Sequence, residues 1–166
     1  DTLIFVTGRN KRAIEDHFDA NFELEVALRA KGKHKQADMI HNILPNGVEC
    51  IFVRQSEQLG LGHAILCAER VVGDEPFAVL LADDFLTQPS GSSTSNVTLD
   101  LKNEFETSGL TQLSVMQLLG QDISNYGVIA KGDEPGSVMG IVEKPPLQNA
   151  PSDTASIGRY ILTSHI

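Results

Sequence analysis

Positive charge, cysteine and long apolar runs are all scarce in this chain, and each scarcity removes a class of function. Its 166 residues carry 13 Lys and Arg against 22 Asp and Glu, a formal net charge of −9. A nucleic-acid partner needs a basic footprint, so that class falls away. A phosphate ligand does not, because a metal ion and a few placed lysines supply local positive charge. Only two cysteines are present, Cys50 and Cys67, both within apolar segments. They read as small hydrophobes in a reducing, cytoplasmic compartment rather than as a disulfide framework. No apolar run approaches the roughly 20 residues of a membrane-spanning helix. The N-terminus, DTLIFVTG, has neither the basic region nor the cleavage site of a signal peptide. Without a secretory signal the sequon Asn96-Val97-Thr98 carries no weight. His17, His34, His41, His63 and His165 show no metal-ligand spacing. His34 and His41 could share a helix face, but about two turns apart. There are no internal repeats and no interdomain linker, and the length suits one sizeable core.

What is present centres on Phe77–Leu86, FAVLLADDFL. The uncharged stretch Phe77–Ala82 lies between Asp74-Glu75-Pro76 and a polar loop. It reads as a strand buried on both faces, in the middle of a parallel sheet covered by helices. Ligands of such sheets bind beyond the carboxyl ends of the strands, where Asp83 and Asp84 stand. Successive side chains point to opposite faces, so one of the two would face a ligand. One reading is a carboxylate that holds Mg²⁺ against a phosphate. The plain alternative is a strand-end turn with solvated acids, and these residues alone do not choose between the two.

Along the chain, Leu3–Val6 predicts a strand. Asn10 caps a helix with Ala13, Ile14 and Phe18 on one face. Further helices follow over Phe22–Ala30, with Gly32 as its stop, and over His34–Ile43. Arg29, Lys31, Lys33 and Lys35 form a basic cluster, read first as a solvated face and second as an anion or oligomer contact. Pro45-Asn46-Gly47 is a turn, and Val48–Val53 a strand. A polar loop and Gly60-Leu61-Gly62 then lead into a helix that buries Ile65, Leu66, Cys67 and Val71. Paired glycines between a strand and a helix bring backbone N–H groups near a ligand, though glycines open many helices. Gln88–Ser95 reads as a flexible loop and Asn96–Thr107 as a helix. Leu113–Leu119, Val138–Val142 and Ile157–Leu162 read as strands, with another beginning at Tyr126-Gly127-Val128-Ile129. Alternation of strand and helix up to about residue 119 predicts a mostly parallel, three-layer α/β sheet, followed by β segments without helices.

Several segments in this order are familiar: IFVTGRNKRAIEDHFD, VRQ with GLGHAILCA, GDEPFAVLLADD, YGVI, IVEKP and SIGRYIL. Together they resemble the bacterial sugar-nucleotidyltransferase family, in its branch that joins UTP and glucose 1-phosphate. The resemblance covers essentially the whole chain, and several motifs in order are far more specific than any one. It implies a Rossmann-like, mixed α/β domain over 1–166. In it, about 1–119 would serve the nucleotide and about 120–166, the β-rich part, the sugar. It also implies that the chain is the middle of a longer enzyme. The family's glycine-rich loop with its arginine and lysine lies upstream of Leu3, and a second metal-binding aspartate and the helices of dimer or tetramer assembly lie downstream. On that view this segment alone has no measurable transferase activity.

The resemblance assigns roles residue by residue. Gln55 resembles the glutamine that reads the uracil edge, and an amide offers the donor and acceptor that edge needs. Gly60 resembles the glycine whose backbone approaches the base. Asp83 resembles the Mg²⁺-binding aspartate, with Asp84 either facing away or supporting the metal-bound groups from behind. Gly127 resembles the glycine that lets backbone meet the sugar. Glu143 resembles the carboxylate that accepts from glucose hydroxyls, and Lys144 the lysine that neutralises glucose 1-phosphate. Ile157 stands where family backbone nears the sugar. The implied reaction is Mg²⁺-dependent in-line transfer that yields UDP-glucose and pyrophosphate, carried by positioning and charge neutralisation. Three rivals remain. A thymidylyltransferase of the same fold shares the hydrogen-bonding edge that Gln55 would read. A non-catalytic sugar-nucleotide-binding module would use Gln55 and Glu143 for binding alone. A phosphohydrolase built on Asp83-Asp84 would need a water-activating group and a second metal ligand, neither convincingly placed.

Overall fold

The structure, a computed structural model, describes residues 1–87, 96–118 and 120–165. The loop expected at Gln88–Ser95 and the strand end expected at Leu119 lie outside the described residues. The chain divides into two compact units, Asp1–Gly73 and Asp74–Ile166.

In the first unit β1 (Thr2–Thr7) and β2 (Glu49–Arg54) pair in parallel, from Thr2 opposite Glu49 to Thr7 opposite Arg54. Parallel neighbours need a crossover. The intervening residues supply it as α1 (Arg12–Phe18), α2 (Phe22–Ala30) and α3 (His34–His41). Phe5 of β1 seats α1: its ring lies 4.8 Å from that of Phe18 and 5.2 Å from that of Phe52, the latter stacked. Thr7, buried at the strand end, donates its hydroxyl to Glu15 Oε1 at 3.0 Å. Asn10 was expected as the cap of α1; it lies instead in the preceding turn at φ +70°, and Lys11 holds the cap position without a side-chain bond. The glycine-led helix breaks at Ala68 into α4 (Leu61–Cys67) and α5 (Glu69–Val72), and Leu66 and Val71, both expected inside, are exposed. Cys50 and Cys67 are free and half-buried.

Asn21 caps α2 by accepting from the Leu24 N–H at 3.0 Å. Arg29 then ties α2 to α3, with Nη2 at 2.9 Å from Glu25 Oε1 and 2.8 Å from Asp38 Oδ1. His41 Nδ1 lies 3.2 Å from the other Glu25 oxygen. Arg29 is therefore paired and not part of a purely solvated basic face. The hydrogen bond from Arg29, assisted by His41, holds the Glu25 carboxyl below its ordinary value of 4.5. A lowered carboxylate value means stabilisation that is present above the ordinary value and lost as pH falls through the lowered one. Amide protection across residues 22–41 should therefore drop as pH falls below about 4, and Glu25→Gln should remove that dependence. Protection that stays flat down to about pH 3 in the unsubstituted chain would contradict the link.

The second unit is organised on β7 (Thr154–Leu162). Along one edge runs β4 (Gln112–Gln117); β3 (Phe77–Leu80) and β5 (Gly127–Lys131) meet successive stretches of the other. β6 (Val138–Glu143) pairs with β5, and every pairing in this sheet is antiparallel. Ile123, Val128 and Ala155 are buried together, with Leu118, Tyr126 and Ala150 against them. α6 (Val97–Ser108) is capped by Asn96, which accepts from the Leu99 N–H, and ends at Gly109 with φ +69°.

The α/β class holds, with a parallel pair in the first unit and an antiparallel sheet in the second. The setting of Phe77–Ala82 differs from its reading. β3 spans Phe77–Leu80, pairs antiparallel with β7, and alternates between half-buried and exposed residues. An unbroken apolar run does not report the direction of its neighbour, and here only one face is covered. Among the described residues no helix is long and apolar enough to cross a membrane.

Candidate functional site

Gln55 continues the parallel ladder by one residue, its N–H donating to the Thr7 carbonyl at 2.8 Å. That fixes it at the carboxyl end of the β1–β2 pair, where open α/β sheets take their ligands. Its side-chain Nε2 lies 3.2 Å from the Gly60 carbonyl oxygen and 3.0 Å from His63 Nδ1. A carbonyl only accepts, so the Gly60 contact orients the amide, and His63 Nδ1 becomes the acceptor of the second proton. The amide oxygen, Oε1, has no donor among the described residues and stays open as an acceptor. Gly60 adopts φ +94°, a conformation side chains rarely take, and begins α4. Its role is thus partly conformational: a bulkier residue would strain the turn that Gln55 closes.

Nearby in the same unit, Arg9, Asn10, Arg12, Ala13 and Arg54 line an open cavity of about 450 Å³. Its three guanidiniums have no carboxylate partner among the described residues. Its members come from one turn, the start of α1 and the end of β2, and sequence reading did not bring these together.

In the second unit, Asp83 sits in the turn that follows β3 and is exposed. Asp84 points elsewhere: half-buried, its Oδ2 accepts from the Gly158 N–H at 2.7 Å.

The β5–β6 register brings three of the expected residues together. Gly127 lies directly across from Glu143. A Cβ on Gly127 would stand 2.8 Å from Ile141 Cγ2 and 3.3 Å from Glu143 Oε2, so only glycine leaves this face open. Lys144 follows at φ +44°, with its N–H donating to the Tyr126 carbonyl at 3.0 Å. Left-handed backbone at a long side chain costs on the order of 1–2 kcal/mol. The strain is greater in kind here because Pro145 follows, and the residue before a proline favours extended backbone. The kink leaves Lys144 Nζ 3.8 Å from Glu143 Oε1, both side chains mostly exposed. Ile157 lies two residues beyond Ala155, which pairs with Val128, and its carbonyl accepts from Ser114 Oγ at 2.7 Å.

Sequence reading missed His63 as the partner of Gln55, since histidines were weighed only for metal spacing. It also missed Arg159, whose guanidinium reaches the carbonyls of Leu81, Asp84 and Gly158. No local pattern marks a contact that spans more than seventy residues.

The chain is 42% identical, over all of its length and 55% of the relative's, to the UTP–glucose-1-phosphate uridylyltransferase YngB of Bacillus subtilis. A UDP-glucose pyrophosphorylase from Acinetobacter baumannii superposes with a TM-score of 0.88 at 38% identity, covering 99% of this chain and 58% of that one. Its UTP-bound form gives 0.87 at the same identity and coverage. The chain thus spans a little over half the length of the proteins it matches. The family model described as nucleotidyl transferase matches residues 3–166. A match that runs through both units and nearly from end to end places this chain in the nucleotidyl transferase family.

Proposed function

We propose that the protein of which this chain is the matching part transfers the uridylyl group of UTP to glucose 1-phosphate. The observation that carries the reading is the β5–β6 register, which sets Gly127 against Glu143 and turns Lys144 out of the strand at a strained φ. Strain of this sort persists where surrounding structure enforces it, and it clusters at ligand-binding positions. The names of the relatives and the UTP held by the Acinetobacter structure support the choice of nucleotide.

The chemistry asks little of the protein beyond positioning and charge. A phosphate oxygen of glucose 1-phosphate attacks the α-phosphorus of UTP in line. The bond from that phosphorus to the bridging oxygen breaks, and pyrophosphate leaves. The attacking phosphate is already anionic, so no general base is needed. Gln55 reads the base: its open Oε1 accepts the uracil imide N–H, while Nε2 stays on Gly60 and His63. Gly60 keeps the backbone close to the ring. Glu143 accepts from glucose hydroxyls across the bare face of Gly127, with backbone near Ile157 beside it, and Lys144 neutralises the sugar phosphate. Residues 1–119 in this reading serve the nucleotide and 120–166 the sugar, in a cytoplasmic enzyme.

Nucleotidyl transferases generally use a divalent metal ion. Among the described residues no cluster of three or more His, Cys, Asp or Glu could hold one alone. That suits Mg²⁺, which takes one or two carboxylates and completes its shell with water and substrate phosphates. Asp83, exposed and acidic, is the residue that would hold it. When bound, the ion supplies charge stabilisation for the transferred phosphoryl group.

Glu143→Ala at the full length of the relatives should raise KM for glucose 1-phosphate by at least about tenfold, the loss of a charged hydrogen bond. KM for UTP should move less than about twofold, and UTP should turn over faster than dTTP. Equal weakening of both substrates would remove Glu143 from the sugar. A preference for dTTP would transfer the reading to a thymidylyltransferase.

A further inference from the structure

The turn that carries Asp83 is fastened on both sides to a single point of β7. Before it, the Leu81 N–H donates to the Gly158 carbonyl at 3.0 Å. After it, Asp84 Oδ2 accepts from the Gly158 N–H at 2.7 Å. Arg159 closes the arrangement: Nη1 donates to the Leu81 carbonyl at 3.2 Å and to the Gly158 carbonyl at 2.7 Å, and Nη2 donates to the Asp84 carbonyl at 2.9 Å. Gly158 permits the approach. A Cβ there would stand 2.3 Å from Asp84 Oδ2 and 2.6 Å from Leu81 Cβ. Between these anchors Asp83 keeps its carboxylate exposed, with no partner among the described residues. The planar fork of arginine satisfies several carbonyls at once, which a lysine cannot reproduce.

The geometry points to Asp84, Gly158 and Arg159 as positioning residues that fix the direction in which Asp83 presents its carboxylate to a divalent cation. This rests on the reading of Asp83 as the metal-holding residue. A carboxylate that supplies one ligand to an ion otherwise held by substrate phosphates must be aimed, because near-ideal octahedral geometry leaves little tolerance. Asp83 is in a turn, with no packing of its own side chain to aim it. The clamp does so through the backbone. A clip that only ended the strand would have no reason to grip both sides of one exposed residue.

The test uses the protein at the full length of its relatives, with Mn²⁺ as the probe. Free Mn²⁺ is measured by electron paramagnetic resonance in the presence of saturating UTP, and amide exchange is followed over residues 81–86. Asp84→Ala and Arg159→Lys should each weaken Mn²⁺ binding at least tenfold and raise exchange in that turn, with UTP affinity within threefold of the unsubstituted protein. Asp84→Asn, whose amide oxygen still accepts from the Gly158 N–H, should restore Mn²⁺ affinity to within threefold. Arg159→Lys keeps charge and stem, so it guards against loss of folding. Mn²⁺ binding lost in Asp83→Ala but unchanged in Asp84→Ala and Arg159→Lys would overturn the clamp alone. Mn²⁺ binding unchanged in Asp83→Ala would overturn the metal reading and the clamp with it.

Discussion

Asp83→Ala, in a protein of the relatives' full length, should lower turnover by on the order of 10³-fold while the fold stays intact. The magnitude follows from what one preorganised charge-stabilising group contributes to a transition state. The tolerance of the fold follows from exposure: Asp83 bonds to nothing among the described residues, and surface changes of that kind fall within about 0.5 kcal/mol. Its neighbour should behave differently. Asp84 is tied to the Gly158 N–H, so its removal leaves a half-buried donor unpaired and should cost about 1–3 kcal/mol of stability. Loss of metal affinity alone in Asp83→Ala, against loss of both stability and metal affinity in Asp84→Ala, would separate the two roles. Retained metal-dependent turnover in Asp83→Ala would remove the metal assignment.

Lys144→Gly should uncouple stability from activity. Lys144 holds φ +44°, which glycine adopts freely. Relief of that strain should leave stability unchanged or raise it by up to about 1 kcal/mol. Loss of the ammonium should cut transfer by about 10²–10³-fold, because nothing else on β5 or β6 at that corner carries positive charge toward the sugar phosphate. The comparison is kcat/KM for glucose 1-phosphate beside a denaturant midpoint. A variant both less stable and fully active would show that the kink serves the fold and not the ligand.

The residues that local chemistry marks were legible in the sequence. Phe22–Ala30 ends where Gly32 breaks it, and Glu143-Lys144-Pro145 marks a strand end that the β5–β6 register then sets opposite Gly127. The direction of β3 was not legible, since an apolar run reports burial and not which strand lies beside it. Nor was the orientation of Gln55. Its amide is set by the Gly60 carbonyl and by His63, in the first turn of α4, and the histidine's identity gave no hint of that use. Arg159 was read only as part of SIGRYIL. Its work is done on Leu81 and Asp84, and only the pairing of β3 with β7 brings those carbonyls within reach.

The most direct test of uridylyl transfer is a paired product assay on the protein at the full length of its relatives. UTP, glucose 1-phosphate and Mg²⁺ are supplied together, and UDP-glucose and pyrophosphate are counted over the same interval. The account predicts equal amounts of both, with neither formed when glucose 1-phosphate or the metal ion is left out. Phosphate or pyrophosphate released from UTP without the sugar phosphate would contradict it and point to hydrolysis. Tight binding of both substrates with no product would contradict it in the other direction, as the behaviour of a binding module.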